Sequence, residues 1–130
     1  MAETIVCKTF AATVGAVSGF TSILVIADEV AKWADKDSGT NPATEVLAAL
    51  RPTMATQDAG RIILSSSAVG LRDAHATSFD LGETPHQCIA LAPSWEANPT
   101  LTEAKTRSLE PHEPTWRREY ASIPSAGANG

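Results

Sequence analysis

The chain has 130 residues, of which 43% are hydrophobic, and this composition is typical of one folded domain and not of a disordered chain. Ten basic side chains stand against fifteen acidic ones, which gives a formal net charge of −5. The acidic balance argues against a protein that binds nucleic acid by bulk charge, because phosphate binding needs concentrated Lys and Arg. It still allows a motor in which a few residues contact DNA.

The apolar runs are too short to predict a membrane protein. No run reaches the roughly 18 unbroken apolar residues that a membrane helix needs. The mostly apolar segment after Lys8 could be a signal peptide cleaved after Ala27, which would make the chain a small secreted protein. Interspersed Ser and Thr residues, and Glu3 near the N-terminus, argue against this alternative.

Cys7 and Cys88 each lie in an apolar run. Buried free thiols are common in such runs, so we predict two core thiols in a reducing compartment. A disulfide between the two cysteines is the alternative.

Strands are predicted in the first part of the chain. Segment 5–17 is rich in Val, Thr and Ala without helical spacing and could supply a strand, and the glycines that interrupt it predict a turn. Ile23–Ile26 is a continuous aliphatic run that is too short for a typical helix. Such a run is typical of a central parallel strand covered on both faces.

A helix and a second strand follow a polar loop at 34–41. Asn41-Pro42 predicts a helix start, with Asn41 as the N-cap and Pro42 at the first helical position. Arg51-Pro52 predicts the helix end. Ile62–Leu64 is then a second short aliphatic strand.

The next segment is predicted to be a polar loop from Leu71 to His86, followed by a third candidate strand at Cys88–Leu91. The order strand, helix, strand, strand predicts an α/β fold with a mainly parallel sheet and flanking helices.

Two short helices are predicted towards the C-terminus. Thr100 and Glu103 have the spacing of a capping box, which marks a helix start. A second helix is predicted over 115–121. Residues 124–130 are small and Gly-rich, as in a flexible tail or linker.

The strongest chemical signal is the pair Asp28-Glu29 directly after the aliphatic run 23–26. In nucleoside triphosphatases with an additional catalytic acid, a buried strand ends in two acids. The first holds the hydrated magnesium ion, and the second polarises the attacking water. Ligands bind beyond the carboxyl ends of parallel strands, which suits this position. Two solvated acids at a strand end are the alternative reading.

Ser65, Ser66 and Ser67 follow the second aliphatic run. Their hydroxyls could hydrogen-bond a phosphate or the catalytic glutamate and so report nucleotide state. A polar turn is the alternative. The pairing of an acidic strand end with a hydroxylic one, separated by a helix, favours the functional interpretation.

Several ordered segments resemble the ATPase domain of phage terminase large subunits. Gly19-Phe20-Thr21 leading into Leu24–Trp33 resembles the Walker B region of that family, and Ile63–Ser67 lies where the family has its coupling motif. The resemblance runs roughly from residue 8 to residue 123. It also includes Asn41-Pro42, Glu45-Val46-Leu47, Leu50-Arg51-Pro52, Met54-Ala55-Thr56, Asn98-Pro99-Thr100-Leu101 and Arg118-Glu119-Tyr120.

This resemblance implies a partial P-loop NTPase core of the catalytic-glutamate type. Residues 1–123 would be the C-terminal part of the ATPase domain, without the half that carries the phosphate loop. Asp28 would bind Mg through water, and Glu29 would be the catalytic glutamate. Ser66 and Ser67, and less clearly Ser65, would belong to the coupling motif.

The resemblance also implies a setting. The intact motor would use ATP and Mg to translocate double-stranded DNA into a procapsid. Its partners would be the portal, the small terminase subunit and further copies in a ring, in the host cytoplasm and without a membrane.

The sequence departs from the family at several places. It contains no Gly-x-x-x-x-Gly-Lys-Ser/Thr, and no nuclease domain follows. Position 68 is Ala where relatives often have Pro, and 69–80 fits the family poorly. We therefore expect the isolated chain to bind nucleotide weakly or not at all. A non-catalytic remnant that acts as an interaction or structural domain is the alternative function.

Overall fold

Two short parallel strands organise the fold in the computed structural model, which describes residues 4–124. β1 spans Leu24–Ala27 and β2 spans Arg61–Leu64, with Leu24 opposite Arg61 and Ala27 opposite Leu64. Both aliphatic runs therefore form strands, as predicted. Because the strands are parallel, their carboxyl ends lie at the same edge of the sheet.

Helices flank this sheet, and the predicted α/β class with a parallel sheet is confirmed at this level. Two 3₁₀ turns, Val30–Lys32 and Arg51–Met54, follow β1 and the first helix. The helices are α1 (Ala43–Leu50), α2 (Ala74–Asp80), α3 (Ser94–Ala97), α4 (Glu103–Leu109) and α5 (Glu113–Glu119).

The main core lies between α1 and one face of the sheet. Val46 is fully buried at the centre of α1, and Leu47 and Leu50 are nearly so, at the one-face spacing expected of an amphipathic helix. Val25 of β1 and Ile62 of β2 pack against this cluster. The crossover helix that joins two parallel strands thus supplies their cover.

The opposite face of the sheet is open, which corrects the prediction of a strand covered on both faces. Ile26 is 64% exposed, and Leu24 and Ile63 are about half exposed. Their neighbours Val25 and Ala27 point to the core, because successive side chains of a strand alternate between faces. One crossover helix covers only one of the two faces.

Two predicted strands and one predicted loop were wrong. Segment 5–17 forms no strand: Ile5 and Val6 are exposed, and its second half folds into a turn in which Val17 donates to the Thr13 carbonyl. Residues 88–91 form no strand either. Strand propensity alone does not order a segment that finds no neighbouring strand.

The predicted loop 71–86 contains α2. Its N-cap is Asp73, whose side chain accepts a hydrogen bond of 2.8 Å from the Ala76 amide. Gly82, with φ +72°, follows the helix end, as glycines commonly do. Asp73 and Gly82 thus mark the start and the end of α2.

The predicted helix starts differ from the structure by a few residues. α4 is capped by Thr102, which accepts from the Lys105 amide, and not by Thr100. The predicted helix 115–121 begins and ends two residues earlier, at 113–119. At α1 the N-cap is Pro42, although the Asn41 side chain still accepts from the Ala43 amide.

A second, smaller cluster forms around Trp116 of α5. The Trp116 indole is buried and stacks on Trp95, with 5.6 Å between the ring centroids. The Arg107 guanidinium lies over the same indole. The indole N–H donates to the fully buried Thr106 hydroxyl at 3.0 Å. This cluster holds α3, α4 and α5 together.

Both cysteines are exposed free thiols, so the prediction of two core thiols was wrong. Within 4–124, no helix is long and apolar enough to cross a bilayer. Most of the predicted tail, residues 125–130, lies outside the described residues.

Candidate functional site

The structure brings the predicted acidic and hydroxylic residues to one edge of the sheet. Asp28 and Glu29 follow the end of β1, and Ser65, Ser66 and Ser67 follow the end of β2. The strand pairing continues past both ends, because the Ser65 amide donates to the Ala27 carbonyl at 3.0 Å. The Val30 amide in turn donates to the Ser65 carbonyl at 3.1 Å.

Asp28 and Ser65 form the closest side-chain contact between the two strand ends. The Ser65 hydroxyl donates to Asp28 Oδ1 at 2.7 Å, and the Glu29 amide donates to the same oxygen at 3.1 Å. The Asp28 carbonyl accepts from the Trp33 indole at 2.8 Å. The exposed Asp28 carboxylate is therefore held by one of its oxygens at the sheet edge.

Glu29 occupies the left-handed region of backbone conformation, with φ 52° and ψ 40°. Non-Gly residues adopt this region rarely. Its carboxylate lies 3.3 Å from the Lys32 ammonium group and is about half exposed. The backbone turn sends the two acids in different directions, so Asp28 meets Ser65 while Glu29 meets Lys32.

Ser66 fixes the turn that follows the acids. Its hydroxyl accepts a hydrogen bond of 3.1 Å from the Ala31 amide, and Asn41 donates from its side chain to the Val30 carbonyl at 2.8 Å. Val30 itself is fully buried in the core. These contacts hold the 3₁₀ turn, and with it Glu29, against the sheet.

Ser67 contacts the C-terminal helix α5. Its hydroxyl donates to Glu119 Oε2 at 2.8 Å, and the Lys32 ammonium group donates to the same oxygen at 2.8 Å. Arg118 contacts the other Glu119 oxygen at 3.1 Å. Glu119 thus joins both strand ends to α5.

The charges of this cluster shift two pKa values. Burial by itself would raise the pKa of Glu119, but hydrogen bonds from Lys32, Ser67 and Arg118 outweigh it and lower the pKa to about 2. The hydrogen bond to Glu119 is the largest cause of a raised pKa at Lys32, with Glu29 adding to it. Both groups are therefore charged at neutral pH.

Sequence reasoning assigned no chemical role to Lys32 or Glu119. Lys32 lies three residues after Glu29, a spacing at which opposite charges meet in a helical turn. That spacing could have indicated the first contact. No local pattern indicates Glu119, which lies 87 residues from Lys32 in the chain.

The site is an open edge and not an enclosed pocket. A concavity of about 1260 Å³ lies beside β2, α2 and residues 84–90 and includes none of the five predicted site residues. Within the described residues 4–124, no group of three His, Cys, Asp or Glu side chains could hold a metal ion by itself. An exposed carboxylate beside a hydroxyl does suit a hydrated magnesium ion, which keeps several waters and needs one or two carboxylates.

Comparison with known family models, curated proteins and solved structures found no match to this chain.

Proposed function

We propose that the chain is part of the ATPase of a viral DNA-packaging motor, of the terminase large subunit type. The observation that carries this proposal is the 2.7 Å contact between Asp28 and Ser65. It joins the acidic end of β1 to the hydroxylic end of β2 in a parallel pair, which is the arrangement that the resemblance implies. In this proposal residues 1–123 are the C-terminal part of a P-loop NTPase domain of the catalytic-glutamate type.

The proposed roles follow the order of the strand ends. Asp28 holds Mg through water, and Glu29 polarises the water that attacks ATP. Ser65, Ser66 and Ser67 form the coupling motif. Support for a coupling role comes from their contacts, since Ser65 binds Asp28, Ser66 binds the turn after Glu29, and Ser67 binds α5 through Glu119.

The proposed partners are those of a packaging motor. They are double-stranded DNA, the portal, the small terminase subunit and further copies of the motor subunit in a ring, in the host cytoplasm. The net charge of −5 indicates that DNA contacts involve a few residues of this chain and not its general surface. The 130 residues contain no Gly-Lys-Ser/Thr loop. The proposal therefore requires residues outside these 130 to hold the phosphates of ATP.

The first test is to read the DNA immediately before codon 1 in all three frames. A Gly-x-x-x-x-Gly-Lys-Ser/Thr stretch some tens of codons before Asp28 supports the motor. An unrelated upstream region contradicts it. That result would favour the second candidate, a non-catalytic remnant that acts as an interaction or structural domain. The observation that favours this candidate is the lack of a phosphate loop in the 130 residues.

The second test is phosphate release from ATP. We expect little turnover by the isolated chain and measurable turnover by the chain joined to the upstream phosphate-loop segment. Glu29→Gln should then reduce turnover by about 100-fold or more, because the amide cannot accept a proton from water. The matched control is Glu113→Gln on α5, which should leave turnover unchanged. Equal turnover of Glu29→Gln and the parent protein would contradict the role of Glu29.

A further inference from the structure

The ionic cluster beside the candidate site is larger than the proposed chemistry needs. Asp28 and Glu29 account for the metal and the water, yet Lys32, Glu119 and Arg118 lie next to them. Lys32 Nζ is 2.8 Å from Glu119 and 3.3 Å from Glu29, so one ammonium group contacts two carboxylates. One of these carboxylates is the proposed water-polarising group.

The two contacts of Lys32 are unequal. Glu119 is the less exposed acid, with 27% of its side chain accessible against 48% for Glu29. Glu119 is also held by Ser67 and Arg118, whereas the half-exposed Glu29 side chain contacts Lys32. An isolated pair of exposed side chains at this spacing is weak, because ordering two long side chains offsets most of the attraction. The well-held partner of Lys32 is therefore Glu119.

We propose that Glu119 is a positioning residue, which fixes the Lys32 ammonium group and through it the orientation of the Glu29 carboxylate. This inference rests on the proposed role of Glu29. It adds that the orientation depends on α5, a helix at the far end of the chain. Ser67 contributes because it donates to the same Glu119 oxygen as Lys32, which ties the coupling motif to the same carboxylate.

The position of Glu119 in the fold makes this role possible. It is the last residue of α5, and α5 is anchored by the buried Trp116 one turn earlier. Trp116 is stacked on Trp95 of α3 and bonded to Thr106 of α4. The Glu119 carboxylate is thus supported by a packed cluster, while Glu29 has only its own turn and Lys32.

The test is NMR of the full chain, with the rotamer of Glu29 as the readout. In the wild type we expect one dominant χ1 rotamer of Glu29, seen in the Hα–Hβ couplings. Glu119→Gln should average these couplings and shift the Glu29 carboxyl carbon resonance. Glu113→Gln is the matched control, since Glu113 lies on the same helix as Glu119 but pairs with Arg107 of α4 and not with Lys32. It should leave the Glu29 signals in place.

Action through Lys32 is tested by combining variants. Lys32→Met alone should average the Glu29 couplings as Glu119→Gln does, and Lys32→Arg should preserve the single rotamer. Adding Glu119→Gln to Lys32→Met should cause no further change at Glu29. If Glu119→Gln leaves the Glu29 signals unchanged, or still changes them without Lys32, the inference is overturned.

If Glu119→Gln loses its dispersed amide spectrum, Ser67→Ala replaces it, and this variant should change the Glu29 couplings in the same direction by a smaller amount. No change at Glu29 in that variant overturns the inference. The NMR readout needs neither ATP nor turnover, so failure of the ATPase proposal and failure of this inference are seen separately.

Discussion

At the scale of single residues, a few hydrogen bonds define the candidate site. Asp28 is exposed, yet one of its oxygens accepts from both the Ser65 hydroxyl and the Glu29 amide. Glu119 lies at the other side of the site and accepts from Lys32, Ser67 and Arg118. These two carboxylates can be tested one at a time.

Ser65→Ala should lower the free energy of unfolding by about 1 kcal/mol, because it removes a hydrogen bond to a charged but exposed carboxylate. Urea unfolding monitored by circular dichroism measures the change. Ser18→Ala is the control, since the Ser18 hydroxyl also makes one exposed hydrogen bond, to the Val14 carbonyl, but away from the strand ends. We expect a smaller effect there. Equal losses of unfolding free energy in the two variants would contradict a stabilising contribution of the Ser65–Asp28 contact beyond that of an ordinary exposed hydrogen bond.

Glu119 should make the fold sensitive to acid. Its pKa falls from 4.5 to about 2 in the folded chain, so the unfolded state binds the proton more readily. The stabilisation is therefore fully present above pH 4.5 and is lost as the pH falls from 4.5 towards 2. Allowing for partial exposure, we expect a contribution of about 1 to 2 kcal/mol.

The measurement is the unfolding free energy of the wild type and of Glu119→Gln at pH 6 and at pH 2.5. The difference between the two proteins should shrink at the lower pH. Ser18→Ala, which removes no carboxylate, is the control and should differ from the wild type by the same amount at both pH values. A difference that stays constant between the two pH values would contradict the shifted pKa of Glu119.

At the scale of elements, two packed groups of helices and strands support the site. α1 covers one face of the sheet, and its buried side chains support β1 and β2. The cluster of α3, α4 and α5 holds Glu119 through Trp116. The site lies where these two groups meet.

Val46→Ala should destabilise the chain by about 2 kcal/mol, because it removes two buried methyl groups and leaves a cavity. Val46 is fully buried, whereas Val6 is 65% exposed and offers a matched control. Thermal unfolding should separate the two substitutions clearly. A loss at Val6→Ala as large as that at Val46→Ala would show that α1 does not form the core.

Thr106→Val should cost about 1 to 3 kcal/mol, because it keeps the side-chain shape but leaves the buried Trp116 indole N–H without its acceptor. Near-ultraviolet circular dichroism would report the Trp116–Trp95 stack, and chemical unfolding would report the energy. Ser108→Ala on the same helix is exposed and should be nearly neutral. Unchanged stability of Thr106→Val would mean that the indole finds another acceptor.

At the scale of the whole molecule, one face of the sheet is open. Parallel sheets usually have both faces covered, and stable sheets usually have three or more strands. Here Leu24 and Ile63 are about half exposed, and Ile26 is 64% exposed, on a two-stranded sheet. The described residues thus leave an apolar surface in contact with water.

This open face should bind a hydrophobic dye such as anilinonaphthalene sulfonate. Replacing Ile26 and Ile63 together with Thr should reduce dye fluorescence, since both side chains lie on the open face. The strands should persist, because Thr has good strand propensity. Val6→Thr, away from the sheet, is the control. Unchanged fluorescence in the double variant would mean that the face is covered in solution.

The sequence by itself determined the local elements whose signals are complete within a few residues. The two aliphatic runs became β1 and β2 because each is short, continuous and bounded by polar residues. The apolar spacing of α1 fixed its buried face. The same local order predicted that Asp28 and Ser65 would lie at one sheet edge, since parallel strands end together.

The tertiary structure decided what depends on distant partners. Segments 5–17 and 88–91 had strand-like composition but pair with no strand among the described residues, and one face of the sheet stayed open because α1 packs against the other. The contact between Lys32 and Glu119 spans 87 residues and depends on the packing of α5, in which Trp116 is buried. Local patterns specify the backbone near a residue, whereas the partner of an exposed charge is set by which helix the packing brings beside it.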